Sequence, residues 1–203
     1  DNIRKINTIV SLLLPMFVRI SASAQSNDDS YYPLERGNIW IYRSSPTVLD
    51  TMRISGDTVM LNSKKYYALQ RTFREYPYSS LQFERIDSNG TTWLYDDRHN
   101  DELMLEDFSL PVGSRWNSFR KSTVGDTAQI IWKGKMLTGL SSDSVLVITV
   151  NYRFRYGEDS RIQFAKGLGI ISEDFWPRVP NVLVGARIGN KNYGILTAVE
   201  DPA

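Results

Sequence analysis

Apolar and polar residues alternate along most of the chain after residue 30. The clearest case is the run of residues 143–156, in whose second half every other position is apolar. One face of that strand would carry Ile148, Val150, Tyr152, Phe154 and Tyr156. The opposite face would carry polar side chains such as Asn151 and Arg153. One buried face and one wetted face are typical of a strand in an antiparallel sheet.

Further runs of β-branched and aromatic residues predict more strands. Asn89 and Gly90 stand between two of these runs, and Asn-Gly there is a strong hairpin signal because both residues accept a positive φ. A second hairpin turn is predicted at residues 189–192, and residues 101–108 are the best candidate for a turn or two of helix. The remaining predicted strands are at residues 38–43, 65–74, 81–86, 91–95, 127–133, 161–165, 167–172, 182–188 and 193–199.

The pattern therefore predicts an all-β fold, an antiparallel meander of about ten strands curved into a barrel or half-barrel. Consecutive hairpins favour a meander over a crossed topology, since neighbours in sequence usually pair. Residues 31–200 contain no linker-like stretch and are expected to form a single β domain.

The first segment has the features of a targeting sequence. A basic start precedes an apolar run at residues 6–18, and Ala22 and Ala24 match the pattern that signal peptidase reads. The apolar run is shorter than the ~20 residues of a membrane span. We expect residues 1–24 to be a signal peptide and residues 25–30 a flexible leader. The mature chain, with no transmembrane segment, would reach the periplasm, the cell surface or the outside.

Composition excludes several classes of function. The 24 basic and 23 acidic residues nearly cancel, so nothing in the charge favours nucleic acid as a partner. The chain has no cysteine, which excludes disulfides and thiolate sites. His99 is the single histidine, so one chain cannot build a multi-histidine metal site. Gly167 and Gly169 lack the third glycine of a dinucleotide loop, and we expect no cofactor.

A short phrase occurs twice and carries a resemblance. Residues 31–42 read YYPLERGNIWIY, and residues 108–116 repeat the order of proline, glycine and tryptophan. The first phrase resembles the opening of exported domains of diderm bacteria that begin after the signal peptide with "YYPL…GN.W.Y". Residues 164–171 and 183–190 also resemble later phrases of these domains. The resemblance implies export and a β fold, but no activity. Such proteins often carry a C-terminal secretion-sorting module, which residues 1–203 do not include.

Aromatic residues are the candidate ligand contacts, since they make up 12% of the chain. They pack well on pleated sheets, so the core is the alternative place for them. Those in proline-bearing loops have less reason to be buried and favour contact with a partner. The candidate ligand-binding residues are Trp40, Tyr42, Trp93, Tyr76, Tyr78 and Trp176.

Three other groups of residues are candidate sites, and for each of them the alternative is an ordinary solvated surface. Residues 96–102 hold four carboxylates and His99, which suits a calcium site or a histidine base, although the spacing is not that of a calcium loop. Arg153, Arg155 and Arg161 suggest a basic stripe for an anionic polymer. A carbohydrate hydrolase would need two facing acids. The candidates for such a pair are Glu84, Glu106, Asp107, Glu158 and Glu173.

The first hypothesis is a non-enzymatic exported domain, either structural or binding an apolar or amphipathic ligand in its concave face. Its expected partner is a lipid, a small amphipathic molecule or a component of the cell surface. The alternative is a secreted hydrolase that acts on carbohydrate through a carboxylate pair. An apolar pocket would favour the first hypothesis, and two acids at the floor of an open cleft would favour the second.

Overall fold

The computed structural model describes residues 30–46, 49–73, 79–120, 126–153, 159–175 and 180–196. Within these ranges the regular elements are all β-strands. No helix there is long and apolar enough to cross a membrane. The strands are β1 Ile39–Arg43, β2 Leu49–Val59, β3 Lys65–Thr72, β4 Ser79–Ile86, β5 Thr91–Asp96, β6 Asp101–Asp107, β7 Arg115–Ser118, β8 Asp126–Met136, β9 Val145–Arg153, β10 Asp159–Ala165, β11 Gly169–Phe175, β12 Asn181–Ile188 and β13 Lys191–Gly194.

The strands form one antiparallel meander that is nearly closed into a barrel. The order across the sheet is β6-β5-β4-β3-β2-β1-β12-β11-β10-β9-β8-β7, and β13 pairs with β12 off this path. Because β1 pairs with β12, the two ends of the path are β6 and β7. These ends meet where the Phe119 N–H donates to the Met104 carbonyl at 3.0 Å. The predicted all-β antiparallel fold is confirmed, with thirteen strands instead of about ten.

Two local predictions have different outcomes. The hairpin at Asn89 and Gly90 is confirmed, but of these two residues only Gly90 has a positive φ, of 86°. Asp87 Oδ1 stabilises the turn by accepting hydrogen bonds from the Asn89 and Thr91 N–H groups. The helical turn at residues 101–108 is wrong, because residues 101–107 are strand β6. A bulge in the β5–β6 ladder shifts the register there, which hides the two-residue period of β6.

The repeated phrase marks the start of two equivalent halves, β1–β6 and β7–β12. The Gly37 N–H donates to the Ile54 carbonyl at 3.0 Å, and the Gly113 N–H donates to the Ile130 carbonyl at 2.8 Å. The two glycines have φ of 90° and 94°, which a residue with a Cβ rarely adopts. In each half a tryptophan three residues later points into the core, where Trp40 is 0% and Trp116 9% exposed. The phrase that occurs twice in the sequence thus corresponds to a structural repeat.

The repeat extends through the next two strands. The β2–β3 ladder has a bulge directly after the pair Ile54–Leu69, and the β8–β9 ladder has one directly after Ile130–Val150. These bulges fix which residues of the two halves correspond. Equivalent positions can therefore be compared between the first half and the second.

The chain before β1 closes one end of the barrel. Asn38, which is fully buried, donates from Nδ2 to the Pro33 carbonyl and accepts at Oδ1 from the Gly189 N–H, both at 2.8 Å. Tyr32 packs edge-on against Phe164, with 6.3 Å between the ring centroids. This segment thus ties the first strand to the last hairpin and covers the core.

Candidate functional site

The wall of the barrel is split between β4 and β5. The ladder that joins these strands covers only residues 84–86 of β4 and 92–94 of β5. Residues 79–83 of β4 pair with β3 on one side and have no ladder partner on the other among the described residues. The structurally equivalent strands of the second half, β10 and β11, pair along residues 160–165. The split is therefore a departure of the first half from the repeat.

A cleft of about 900 Å³, here called the wall cleft, occupies this split. Its volume lies within the range of small-molecule sites, roughly 300–1,000 Å³. Leu81, Gln82 and Phe83 are consecutive in β4 and all line it. Since successive side chains of a strand point to opposite faces, the cleft runs along the free edge of β4 and reaches both faces of the sheet. Its other lining residues are Thr58, Met60, Leu94, Tyr95, Asp96, Asp97, Arg98, His99 and Leu103.

At two equivalent positions on β3 and β4, the first half has a more polar residue than the second half. Counted from the two bulges, Arg71 of β3 and Tyr152 of β9 occupy equivalent positions. Arg71 pairs with Met52 in the first half, and Tyr152 pairs with Ala128 in the second. Gln82 of β4 corresponds in the same way to Ile162 of β10, a fully buried residue. The charged interior is thus a second departure from the repeat, next to the split in the wall.

Arg71 lines a smaller space that we call the inner cavity. Its volume is about 170 Å³, and Gln82 lines both this cavity and the wall cleft. Arg71 Nη2 donates to Glu173 Oε2 at 2.7 Å, and its guanidinium lies 5.5 Å from the ring centroid of Tyr42 and 5.1 Å from that of Phe73. The other lining residues are Tyr32, Met52, Leu69, Ser80, Arg120 and Ile170.

A second buried ion network joins the open seam of the barrel. Arg120 donates from Nε and Nη2 to the two oxygens of Glu106 at 2.7 and 2.6 Å, and from Nη1 to Glu84 Oε1 at 2.8 Å. Tyr152 donates its hydroxyl to Glu106 Oε1 at 2.7 Å. Both glutamates are fully buried, and the Arg120 side chain is 7% exposed. Residues from β4, β6 and the segment after β7 thus meet at one guanidinium, and β9 joins the network through Glu106.

Burial and charge set the protonation of this network. Burial raises the pKa of Glu84, and Arg120 lowers it by less, so the pKa stays above its ordinary value. Burial also lowers the pKa of Arg120, but the carboxylates of Glu106 and Glu84 more than reverse this, and the guanidinium stays charged. Burial and then the charge of Glu84 raise the pKa of Tyr32 well above its ordinary value. The phenol therefore keeps its proton and remains a hydrogen-bond donor.

Three buried polar atoms of these networks have no hydrogen-bond partner among the described residues. They are Tyr32 Oη, Arg71 Nε and Glu84 Oε2. Tyr32 and Arg71 both line the inner cavity, and Tyr32 is fully buried. The Tyr32 hydroxyl interacts with the Glu84 carboxylate. The Arg71 Nε–H is therefore the donor available beside the cavity, and a donor left without a partner costs stability.

The predicted ligand contacts lie in different places. Trp40 and Tyr42 are 0% and 1% exposed, and they donate to the carbonyls of Leu168 and Ile170 at 2.6 and 3.0 Å. Trp93 is half-buried and donates from Nε1 to Asp87 Oδ2 at 2.9 Å. None of these three lines the wall cleft or the inner cavity. Tyr76, Tyr78 and Trp176 lie outside the described residues.

The proposed acid pair of a hydrolase has no open arrangement among the residues that the structure describes. Glu84 and Glu106 share Arg120, and Glu173 is paired with Arg71. Asp107 caps the turn at Ser109, from which its Oδ1 accepts both the N–H and the hydroxyl. Glu158 lies outside the described residues. A glycosidase needs its two acids beside a cleft that admits a sugar, and these glutamates are buried.

The acidic loop at residues 96–102 forms the rim of the wall cleft. His99 Nδ1 lies 2.5 Å from Asp96 Oδ2, and Glu102 turns away to the ammonium of Lys64 and the guanidinium of Arg85. In the described part of the chain, no three histidine, aspartate or glutamate side chains are placed to hold a metal ion. Of the predicted basic stripe, Arg153 and Arg161 are exposed and Arg155 lies outside the described residues.

Sequence reasoning missed Arg71, Gln82 and Arg120, which contribute most to the site. Arg71 lies in a predicted strand on the same face as Leu69 and Phe73, and its charge interrupts that apolar face, which is the signal that could have found it. Gln82 alternates with Leu81 and Phe83, so the pattern places it on the polar face and gives no signal. Arg120 lies just after β7, and only the register of the sheet brings it to Glu84, 36 residues away.

Comparison with protein-family models, with curated proteins and with solved structures finds no match to this chain. The site must therefore be interpreted from its own geometry and chemistry.

Proposed function

We propose that the chain is an exported protein whose β domain binds an amphipathic molecule through the wall cleft. The observation that carries the proposal is the split between β4 and β5, which the second half of the repeat lacks. It gives a cleft about 900 Å³ in volume beside β4, whereas the equivalent strand β10 carries the fully buried Ile162.

The lining of the cleft favours a ligand with an apolar chain. Leu81 is 57% exposed, although a leucine gains ~1.5–3 kcal/mol from full burial. Met60, Phe83, Leu94 and Leu103 add further apolar surface, while the polar residues of the 96–99 turn stand at the rim. Apolar walls with few polar groups are typical of sites for amphipathic molecules.

Binding of a fluorescent probe with an acyl chain and an uncharged head tests the proposal, with one variant inside the cleft and one outside it. Leu81→Asp places a charge in the cleft, and Leu61→Asp makes the same change at the tip of the β2–β3 hairpin, where Leu61 is 83% exposed. Both sites are exposed, so neither change should unfold the protein. We expect Leu81→Asp to weaken probe binding about tenfold or more and Leu61→Asp to leave it unchanged. Absence of binding, or equal effects of the two variants, would refute the proposal.

Among the carboxylates that the structure describes, the arrangement does not support the hydrolase alternative. Glu84 and Glu106 neutralise a buried arginine and do not face the wall cleft. A binding function accounts for the apolar cleft, and a carbohydrate hydrolase does not.

A further inference from the structure

We infer that the amphipathic ligand has an uncharged head group that accepts hydrogen bonds, and that the inner cavity holds this head. The inference rests on the proposed function and specifies the ligand class for the same site. It follows from the position of the cavity, from the donors that face it and from the balance of charge around it.

The inner cavity is placed to receive the end of a molecule that enters through the wall cleft. Gln82 lies on the free edge of β4 and lines both spaces. The inner cavity measures about 170 Å³, which is the volume of about five or six water molecules in the liquid. That volume fits a small head group and excludes a sugar chain or a folded partner.

The unpartnered atom at the cavity is a donor and calls for an acceptor. Arg71 Nε–H is buried and lacks a partner within the described part of the chain. The aromatic rings of Tyr42 and Phe73 and the pairing with Glu173 hold the Arg71 guanidinium in place. The Tyr32 hydroxyl also lines the cavity and interacts with Glu84. A carbonyl, ether or hydroxyl oxygen of a ligand could accept from Arg71 and compete with Glu84 for the Tyr32 hydroxyl.

The surrounding charges disfavour an ionised head of either sign. The guanidiniums of Arg71 and Arg120 line the cavity and would repel an ammonium group. Three carboxylates, those of Glu84, Glu106 and Glu173, already pair with these two arginines. An added carboxylate or phosphate would therefore find both arginines already paired, and it would lose its own hydration. An uncharged acceptor avoids both costs.

Ligands that share one chain and differ only in the head group test the inference. Lauroylglycerol, laurate and laurylamine would each be titrated into the purified protein at neutral pH and below their micellar concentrations. We expect lauroylglycerol to bind at least tenfold more tightly than either charged compound. Arg71→Lys removes the Nε–H while keeping the charge, and Tyr32→Phe removes the hydroxyl while keeping the ring. Each variant should weaken lauroylglycerol binding about fivefold or more and change laurate binding little.

The outcomes separate this inference from the proposed function. If none of the three compounds binds, the proposed function fails and the inference fails with it. If laurate or laurylamine binds as tightly as lauroylglycerol, the function stands and the inference is overturned. If lauroylglycerol binds and neither variant changes its affinity, the inner cavity holds water instead of the head group, and the inference is again overturned. Thermal melting of both variants confirms that they fold.

Discussion

Arg120 offers the sharpest test of how the interior is held together. Its guanidinium makes two hydrogen bonds to Glu106 and one to Glu84, all between 2.6 and 2.8 Å. The substitution Arg120→Met keeps much of the side-chain volume and removes the charge. Two buried carboxylates are then left without a cation, and Tyr152 alone still donates to Glu106.

The cost follows from the burial of all three partners. Removing one member of a buried ion pair costs ~3–5 kcal/mol, because the remaining charge is neither hydrated nor paired. For a domain of this size, each kcal/mol lowers the melting temperature by about 2–4 °C, so we expect a fall of about 6–20 °C. Arg153→Met is the matched control, since the Arg153 side chain is 77% exposed and lies 3.9 Å from Asp159. It should cost less than about 0.5 kcal/mol.

Denaturant melts at pH 7 and pH 5 measure the effect and its cause. Without Arg120 the two carboxylates repel each other, so the folded variant should take up a proton more readily than the unfolded chain does. A carboxyl pKa that is raised by folding makes the folded state more stable as the pH falls. The difference from wild type should therefore shrink at pH 5, and Glu84→Gln together with Glu106→Gln should restore most of the loss. Equal stability of Arg120→Met and Arg153→Met, or no effect of pH, would refute this account.

Three further predictions concern single residues. Asn38→Ala should cost about 2–4 kcal/mol in a denaturant melt, because it leaves the Pro33 carbonyl and the Gly189 N–H without partners, whereas the exposed Asn117→Ala should cost little. Gly185→Ala should destabilise by about 1–3 kcal/mol, since its Cβ would lie 2.1 Å from the Ile195 carbonyl oxygen, and Gly56→Ala, with nothing within 4 Å, should not. The pKa of Glu102 is lowered to about 2, because bonds from Arg85, Lys64 and Tyr66 outweigh its partial burial. The contribution of ionised Glu102 to the free energy of unfolding should be complete above pH ~4.5 and fall as the pH drops towards 2. This contribution is about 1–2 kcal/mol after allowing for screening at the exposed Lys64, and it should be absent in Glu102→Gln.

Most of the strands were predictable from the sequence because side chains on a half-buried strand alternate with a period of two, although β2 at residues 49–59 was not among those predicted. That period identified β9, in which Ile148, Val150 and Tyr152 are fully buried and Arg153 is exposed. It failed at residues 101–107, where a bulge in the ladder and an apolar run obscure the alternation. Turn residues were more reliable, since the glycines of the two repeated phrases have the positive φ that their turns require.

The site was not predictable in the same way, because it depends on register between distant strands. Arg71 meets Glu173 across 102 residues of sequence, and Trp40 meets Leu168 across 128. Trp40 was a candidate ligand contact, yet its indole satisfies a backbone carbonyl in the core. A gap in a ladder, such as the split beside residues 79–83, leaves no mark in the composition of the strand.

Photolabelling tests most directly whether a ligand enters through the wall cleft. Lauroylglycerol with a diazirine at the end of its chain would be bound and irradiated, and the labelled residues mapped by mass spectrometry. The account predicts label on residues 81–83 of β4 and on Leu94 and Leu103, at yields that excess unlabelled lauroylglycerol reduces. Label confined to exposed apolar residues elsewhere, such as Leu61 and Leu137, or label that no competitor reduces, would contradict it.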